Sequence, residues 1–250
     1  MRKALGVLGV AAIIAACADT AGPSPEAAAL RPVPPPTRSG ANTPGIAPRQ
    51  SRPYGRTYEE WGGAMLQWVA SIPASANPFV DATGALSQAA ESGRVWFLMG
   101  PSQLLPQPQT GSLTVPAGTA IFLSPVALYA AGPGGIAGDG DDTPAQLLDF
   151  ARTTAGFVTG VQVQIDGVPV AGIDQYRILS STVALTTPDD NIYSVFFAEP
   201  NPFTFGNFAG FGLFINPLPP GVHVLHAVSE VPEFGLSFDM TYTITVGTRG

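Results

Sequence analysis

The chain has 250 residues, 45% of them hydrophobic and 12% charged, with a formal net charge of −7. Cys17 is the only cysteine, which excludes an intramolecular disulfide and any CxxC metal or redox site. No lysine follows Lys3, and from Thr57 to Gly250 four arginines stand against sixteen acidic residues, a balance that excludes nucleic acid as a partner.

Taken in chain order, Met1-Arg2-Lys3 is a short cationic head before the apolar run "ALGVLGVAAIIAA", which is too brief to span a bilayer as a helix. The run ends in Ile14-Ala15-Ala16-Cys17, which resembles the lipobox of bacterial lipoproteins. That resemblance implies a signal peptide over 1–16 and lipidation of Cys17, hence an exported protein anchored in a membrane and facing the periplasm or the cell surface. Ordinary cleavage after an A-x-A pattern is the alternative, and it exports the chain equally.

Residues 17–53 read as a tether. Nine prolines lie between Pro23 and Pro53, mixed with Ala, Ser, Gly and Arg and lacking the apolar periodicity of a core. The remaining ~195 residues, 54–250, are enough for one substantial domain.

That domain opens on a helix. Thr57 and Glu60 form a capping box, and Tyr58, Trp61, Met65, Trp68 and Ile72 then recur at helical spacing until Pro73 stops the run. A short second helix is expected from Thr143-Pro144-Ala145-Gln146 to Gly156, with Thr as N-cap and Pro in the first turn.

The rest reads as strands: "RVWFLM" (94–99), "TAIFLS" (119–124), "YRILSSTVAL", "IYSVFFA", "FGLFINPL", "VHVLHAV" and "FDMTYTITV". In "VQVQIDGVPV" the alternation of Val161, Val163 and Ile165 with glutamines, followed by Asp166-Gly167, predicts a tight hairpin. The expected fold is mainly β: an immunoglobulin-like or jelly-roll-type β-sandwich with one N-terminal amphipathic helix acting as a lid and one short second helix.

The order "EW…W…SIP…NP…D.TG…SG.VWFL.G", then "VPAG", "PLPPGVHVL" and a final "Y.ITV", resembles an uncharacterised family of exported bacterial proteins. The resemblance covers most of 57–250 and carries no assigned catalytic residue. It implies a pair of cysteines where this chain has Ser87 and Leu113, so this chain departs from the family there. "PLPPGVHVLHAV…YTITV" is also similar to the closing hairpin of bacterial immunoglobulin-like modules.

Candidate sites follow from residue types. Trp61 and Trp68 suit stacking on a sugar ring as ligand-binding residues, although core packing accounts for both. Glu59, Glu60 and Asp81 are acids that a glycoside hydrolase would need as a pair, yet capping, the helix dipole and a turn explain each separately. In "GPGGIAGDGDDT", Asp139, Asp141 and Asp142 are candidate oxygen ligands for Ca²⁺, the one cofactor suggested, in a loop without EF-hand spacing. His223 and His226 are three apart and point to opposite faces of a strand, so they cannot share a metal. There is no G-x-S-x-G nucleophile elbow. Phe203, Phe205, Phe208, Phe211 and Phe214 form either an apolar surface or strand core with a hairpin loop.

No catalytic residue is assigned. The expectation is a lipid-anchored envelope protein with a non-enzymatic binding or scaffolding domain, its partners a membrane through the lipid and an envelope protein or glycan. The alternative is an envelope glycan hydrolase or carbohydrate-binding module.

Overall fold

A computed structural model describes residues 45–247 except 82, 91–92, 101, 103–104, 134–141 and 196–202. Among the described residues three α-helices are present: α1 (Tyr58–Ala70), α2 (Ala85–Ala90) and α3 (Pro144–Ala155). The first six strands are β1 (Val95–Met99), β2 (Gln109–Val115), β3 (Ala120–Ser124), β4 (Ala127–Gly132), β5 (Thr159–Ile165) and β6 (Val168–Pro169). The other six are β7 (Arg177–Leu179), β8 (Val183–Ala184), β9 (Phe205–Phe211), β10 (Leu213–Ile215), β11 (Gly221–Val231) and β12 (Leu236–Val246).

These strands make three sheets, ordered β1-β3-β10, β2-β12-β11-β5-β6 and β4-β9-β7, with β8 also on β9. The protein is mainly β, consistent with a β-sandwich. Two neighbouring pairs, β1/β3 and β2/β12, run parallel, and the others are antiparallel.

Local chemistry explains why the helices start where they do. Thr57 Oγ1 accepts from the Glu60 N–H at 3.2 Å, and a Glu60 carboxylate oxygen accepts from the Thr57 N–H at 2.6 Å. Thr143 and Gln146 make the same reciprocal box at α3, with Pro144 in its first turn. Both satisfy backbone donors that a helix start leaves unpaired.

The lid expectation for α1 needs correction, because the helix lies inside the fold. Tyr58, Trp61, Met65, Leu66, Val69 and Ala70 are buried, an arc wider than one stripe. On one side Trp61 packs against Phe97, Phe122 and Phe214 of the three-stranded sheet, at ring separations of 6.1, 6.3 and 5.5 Å. On another side Gly62 and Gly63 let β7, β8 and β9 come close. A Cβ on Gly62 would stand 2.9 Å from Phe208 Cδ1 and 3.0 Å from Ile178 Cδ1.

The phenylalanine-rich stretch is also not a hairpin. β9 and β10 are one nearly continuous run that leaves the sheet of β4 and β7 at Gly212 and joins β3 in another sheet. Phe203, Phe208, Phe211 and Phe214 are fully buried and Phe205 partly so, which places these rings in the core instead of on a partner surface. The Asp166-Gly167 hairpin forms as its sequence predicts, both residues having positive φ (52° and 75°). In "IYSVFFA", Ile192–Val195 form a 3-10 turn in place of the expected strand, and the remainder lies outside the described residues.

The packed chain begins by Gly45, ahead of the boundary expected at 54. Ile46 bridges to Ile215, the Ala47 N–H donates to the Phe214 carbonyl at 2.8 Å, and Ala47 is buried. Residues 45–47 therefore extend the β10 edge of the three-stranded sheet.

Candidate functional site

The acids near α1 are each engaged by the fold. Glu59 pairs with Arg49, and Glu60, besides its capping role, pairs with Arg52 at 3.2 Å. Partial burial pushes the Glu59 carboxyl up, but the hydrogen bond and charge of Arg49 outweigh it and hold the group below its ordinary value. Asp81 accepts from the Thr83 N–H and hydroxyl and from the Leu86 N–H at 2.6–2.8 Å. There too burial opposes the charge and these donors prevail, leaving the carboxyl below its ordinary value. An acid held ionised this way suits neither the proton-donor role nor a shared-proton pair.

Trp61 is 7% exposed, so the ligand-stacking reading for it is corrected: the indole belongs to the core, with its N–H donating to the Pro53 carbonyl at 3.0 Å. Trp68 is half-buried and packs on Phe97 at 5.4 Å. Burying one face of an indole this way contributes to packing and leaves no open platform of two rings.

Of the calcium candidates, Asp139 and Asp141 lie outside the described residues, and Asp142 is buried next to the Thr143 cap. Cys17 also lies outside them. Among the described residues no three His, Cys, Asp or Glu side chains are grouped to hold a metal.

The histidines do face opposite ways. His223 points inward from β11, and His226 lies on the other face, paired with Asp239 at 2.9 Å. Sequence reading missed the His223 partner: its Nδ1 lies 2.8 Å from Asp166, fifty-seven residues away, whose other oxygen accepts from the Val224 N–H. A His–Asp pair of this kind is two-thirds of a catalytic triad. Here, however, Nε2 lies 2.9 Å from the Pro219 carbonyl, where a nucleophilic hydroxyl would have to sit. The pair pins the β5–β6 turn to β11 and performs no proton transfer in this geometry.

Two surfaces remain. A shallow apolar groove is lined by Gly45, Ile46, Ile165, Val168, Val170 and Tyr176. The outer face of the five-stranded sheet is a regular array. Thr110, Ser112 and Thr114 on β2 stand beside Thr241, Thr243 and Thr245 on β12, and Thr243 and Thr245 stand beside Val224 and Val222 on β11. Val222 and Val224 are 66% and 43% exposed. With strands about 4.8 Å apart and same-face residues about 6.7 Å apart along each strand, the face is a lattice of hydroxyls and methyls. On β12 the sequence carried its signal in the alternation of "YTITV".

A second unforeseen grouping surrounds the start of α1. Arg49, Arg52, Arg56 and Arg94 gather there, with Arg49 over the Tyr58 ring, Arg56 over Trp61 and Arg94 over Tyr54, each 5.0–5.2 Å from the centroid. Arg49 and Arg52 were visible in the sequence, but read as part of the 17–53 tether they had no structural partner, and Arg56 stood at the start of the expected domain.

No family model and no curated protein matches the sequence. One solved structure to which the chain is similar, described as the solution structure of amebosin, shares 11% identity over 62% of this chain and 99% of its own length. Its TM-score is 0.22, and at that score it carries no argument.

Proposed function

We propose that this is an exported, lipid-anchored envelope protein whose β-sandwich binds or scaffolds a partner and performs no chemistry of its own. One observation carries the non-enzymatic reading: Glu59, Glu60, Asp81 and His223, all weighed as catalytic, are each engaged by the fold, while Asp139 and Asp141 of the other acidic candidate loop lie outside the described residues. What the domain offers a partner is surface, above all the threonine and valine face of the five-stranded sheet. For the finer fold we favour the immunoglobulin-like reading. The long β11–β12 hairpin supports it, since the sequence there is similar to the closing hairpin of immunoglobulin-like modules. Attachment through Cys17 rests on the lipobox-like Ile14–Cys17.

Two measurements test the proposal. Expressed in a bacterium, the wild-type chain stays with membranes through a high-salt wash and carries an N-terminal lipid by mass spectrometry, whereas Cys17→Ser is released by that wash. Equal release of both would overturn the anchor. Thermal melts with envelope glycans and with Ca²⁺ against EDTA test the rest. A ligand at 100 times its Kd adds about 2.7 kcal/mol, a shift of several degrees. A glycan-dependent shift together with glycan cleavage would replace this proposal with the hydrolase.

A further inference from the structure

Among the described residues, basic charge is concentrated at one corner. Of the six arginines among the described residues, four (Arg49, Arg52, Arg56 and Arg94) lie around the start of α1, against Glu59 and Glu60. Elsewhere in the described residues, ten carboxylates face Arg152 and Arg177 alone. Arg152 pairs with Asp149, and Arg177 donates to the Ala155 and Val158 carbonyls. At the corner Arg56 and Arg94 are exposed, have no carboxylate partner among the described residues, and are held on aromatic faces instead.

The aromatic part of the corner is built for exposure. Tyr54 is 43% exposed, and its backbone is left-handed (φ 52°, ψ 28°), a conformation uncommon for a bulky residue. Gly55 follows at φ 85°. This turn holds the Tyr54 ring between the Arg94 guanidinium and Phe214, 5.7 Å from the latter. An amphipathic ring flanked by cations is the composition that rests at the headgroup level of a bilayer.

We infer that this corner, Tyr54 with Arg52, Arg56 and Arg94, is a contact surface for anionic lipid headgroups, and that it seats the tethered domain on the membrane that anchors it. The inference rests on the lipid-anchor reading. The described chain starts at Gly45, only nine residues before Tyr54, and Cys17 lies twenty-eight residues before Gly45. Even fully extended, at about 3.3–3.6 Å per residue, those residues reach no more than ~100 Å, so the local lipid concentration at this corner is high and weak contacts suffice. The acidic remainder is repelled from the same surface, so one orientation is selected: corner down, threonine face free. Each arginine near an anionic leaflet contributes about a fivefold gain in partitioning.

The test uses the unlipidated chain from Cys17 onward, sedimented with phosphatidylglycerol–phosphatidylcholine vesicles and with phosphatidylcholine vesicles. Binding to the anionic vesicles only, weakened by salt, is expected. Arg52→Gln/Arg56→Gln/Arg94→Gln should weaken it about a hundredfold, and the matching triple Lys variant should retain most of it. Melting temperatures of both variants equal to wild type separate lost contact from lost fold. Equal binding to both vesicle types, no effect of the Gln triple, or binding abolished by Arg31→Gln/Arg38→Gln in its place would overturn the inference. So would binding to a soluble polyanionic glycan without binding to vesicles. A Cys17→Ser chain that stays membrane-attached in cells through a high-salt wash would instead overturn the anchor and leave the vesicle result standing.

Discussion

Replacing Gly62 by alanine sets two effects against each other in the middle of α1. Alanine in a helix interior is favoured over glycine by about 1 kcal/mol. Yet the new methyl would stand 2.9 Å from Phe208 Cδ1, 3.0 Å from Ile178 Cδ1 and 3.1 Å from Phe208 Cγ. Neither neighbour can swing away. Phe208 is fully buried and packs edge-on against Tyr129 at 5.6 Å, and Ile178 is 3% exposed in a strand paired to β9. Overpacking at so closed a site costs about 2–3 kcal/mol, so the net loss is about 1–2 kcal/mol. For a domain of this size that lowers Tm by roughly 2–8 °C. Gly63→Ala is the internal control, because its methyl meets one close atom, Val183 Cγ1 at 2.9 Å, in the two-residue strand β8, which can shift. There propensity and crowding roughly cancel. The assay is calorimetric or circular-dichroism melting of both variants beside wild type. A rise in Tm for Gly62→Ala, the propensity gain alone, would refute the placement of α1 between two sheets.

Other expectations are as direct. Asn77 is fully buried and donates to the Val69 and Ile72 carbonyls while accepting from the Phe79 N–H, so Asn77→Ala should cost about 3 kcal/mol. Asn77→Asp, which aims a carboxylate at two carbonyls, should be worse in urea titrations at neutral pH; equal stability would contradict these bonds. Glu59 and Asp81 sit below their ordinary values when folded, so their stabilisation is present at neutral pH and is lost as pH falls below about 4. Glu59→Gln/Asp81→Asn should flatten that acid limb, and an unchanged limb would count against the assignment. Burial raises Tyr58, Tyr129 and Tyr193, and Tyr242 to about 12, so the stability these phenols contribute should fade as pH rises beyond about 10, read by denaturant midpoints. Since α2 packs on β2, Ser87→Cys/Leu113→Cys should oxidise to a disulfide closing a 27-residue loop, worth about 3.5 kcal/mol in the chain-entropy model. Failure to oxidise would remove the resemblance that aligns those positions.

The elements legible in the sequence were those whose cause is local. The capping boxes at Thr57 and Thr143, the Asp166-Gly167 turn and the alternating strands around His223 and Thr243 carry their chemistry within a few residues. What stayed hidden depends on distant partners. β2 and β4 hold Gly, Ser and Ala positions that no alternation marks, and β2 is defined by its parallel pairing to a strand 131 residues later. Ile192–Val195 has strand-forming residues, yet Asn191 caps the Tyr193 N–H and turns the chain. Arg49 and Arg52 read as tether because Glu59, Glu60 and the Tyr58 ring become their neighbours only once residues 45–47 dock on β10. The candidate site followed the same rule: each acid was explained near its own position, whereas the His223–Asp166–Pro219 link needed the folded hairpin.

The place of β12 has a consequence for how the molecule can come into being. This last strand lies inside its sheet, between β2 and β11, so β2 has no sheet partner until residues 240–246 arrive. A chain delivered N-terminus first, whether from a ribosome or through a membrane pore, therefore holds an unpaired β2 through almost its whole passage. The β5–β6 hairpin can form on its own, but the β2–β12–β11 part of the sheet cannot close until the C-terminal strand has arrived. Loop closure over that distance makes the final step slow and leaves the waiting strand open to wrong pairing. Trimming the final dozen residues would accordingly split the sheet through its middle instead of fraying an edge.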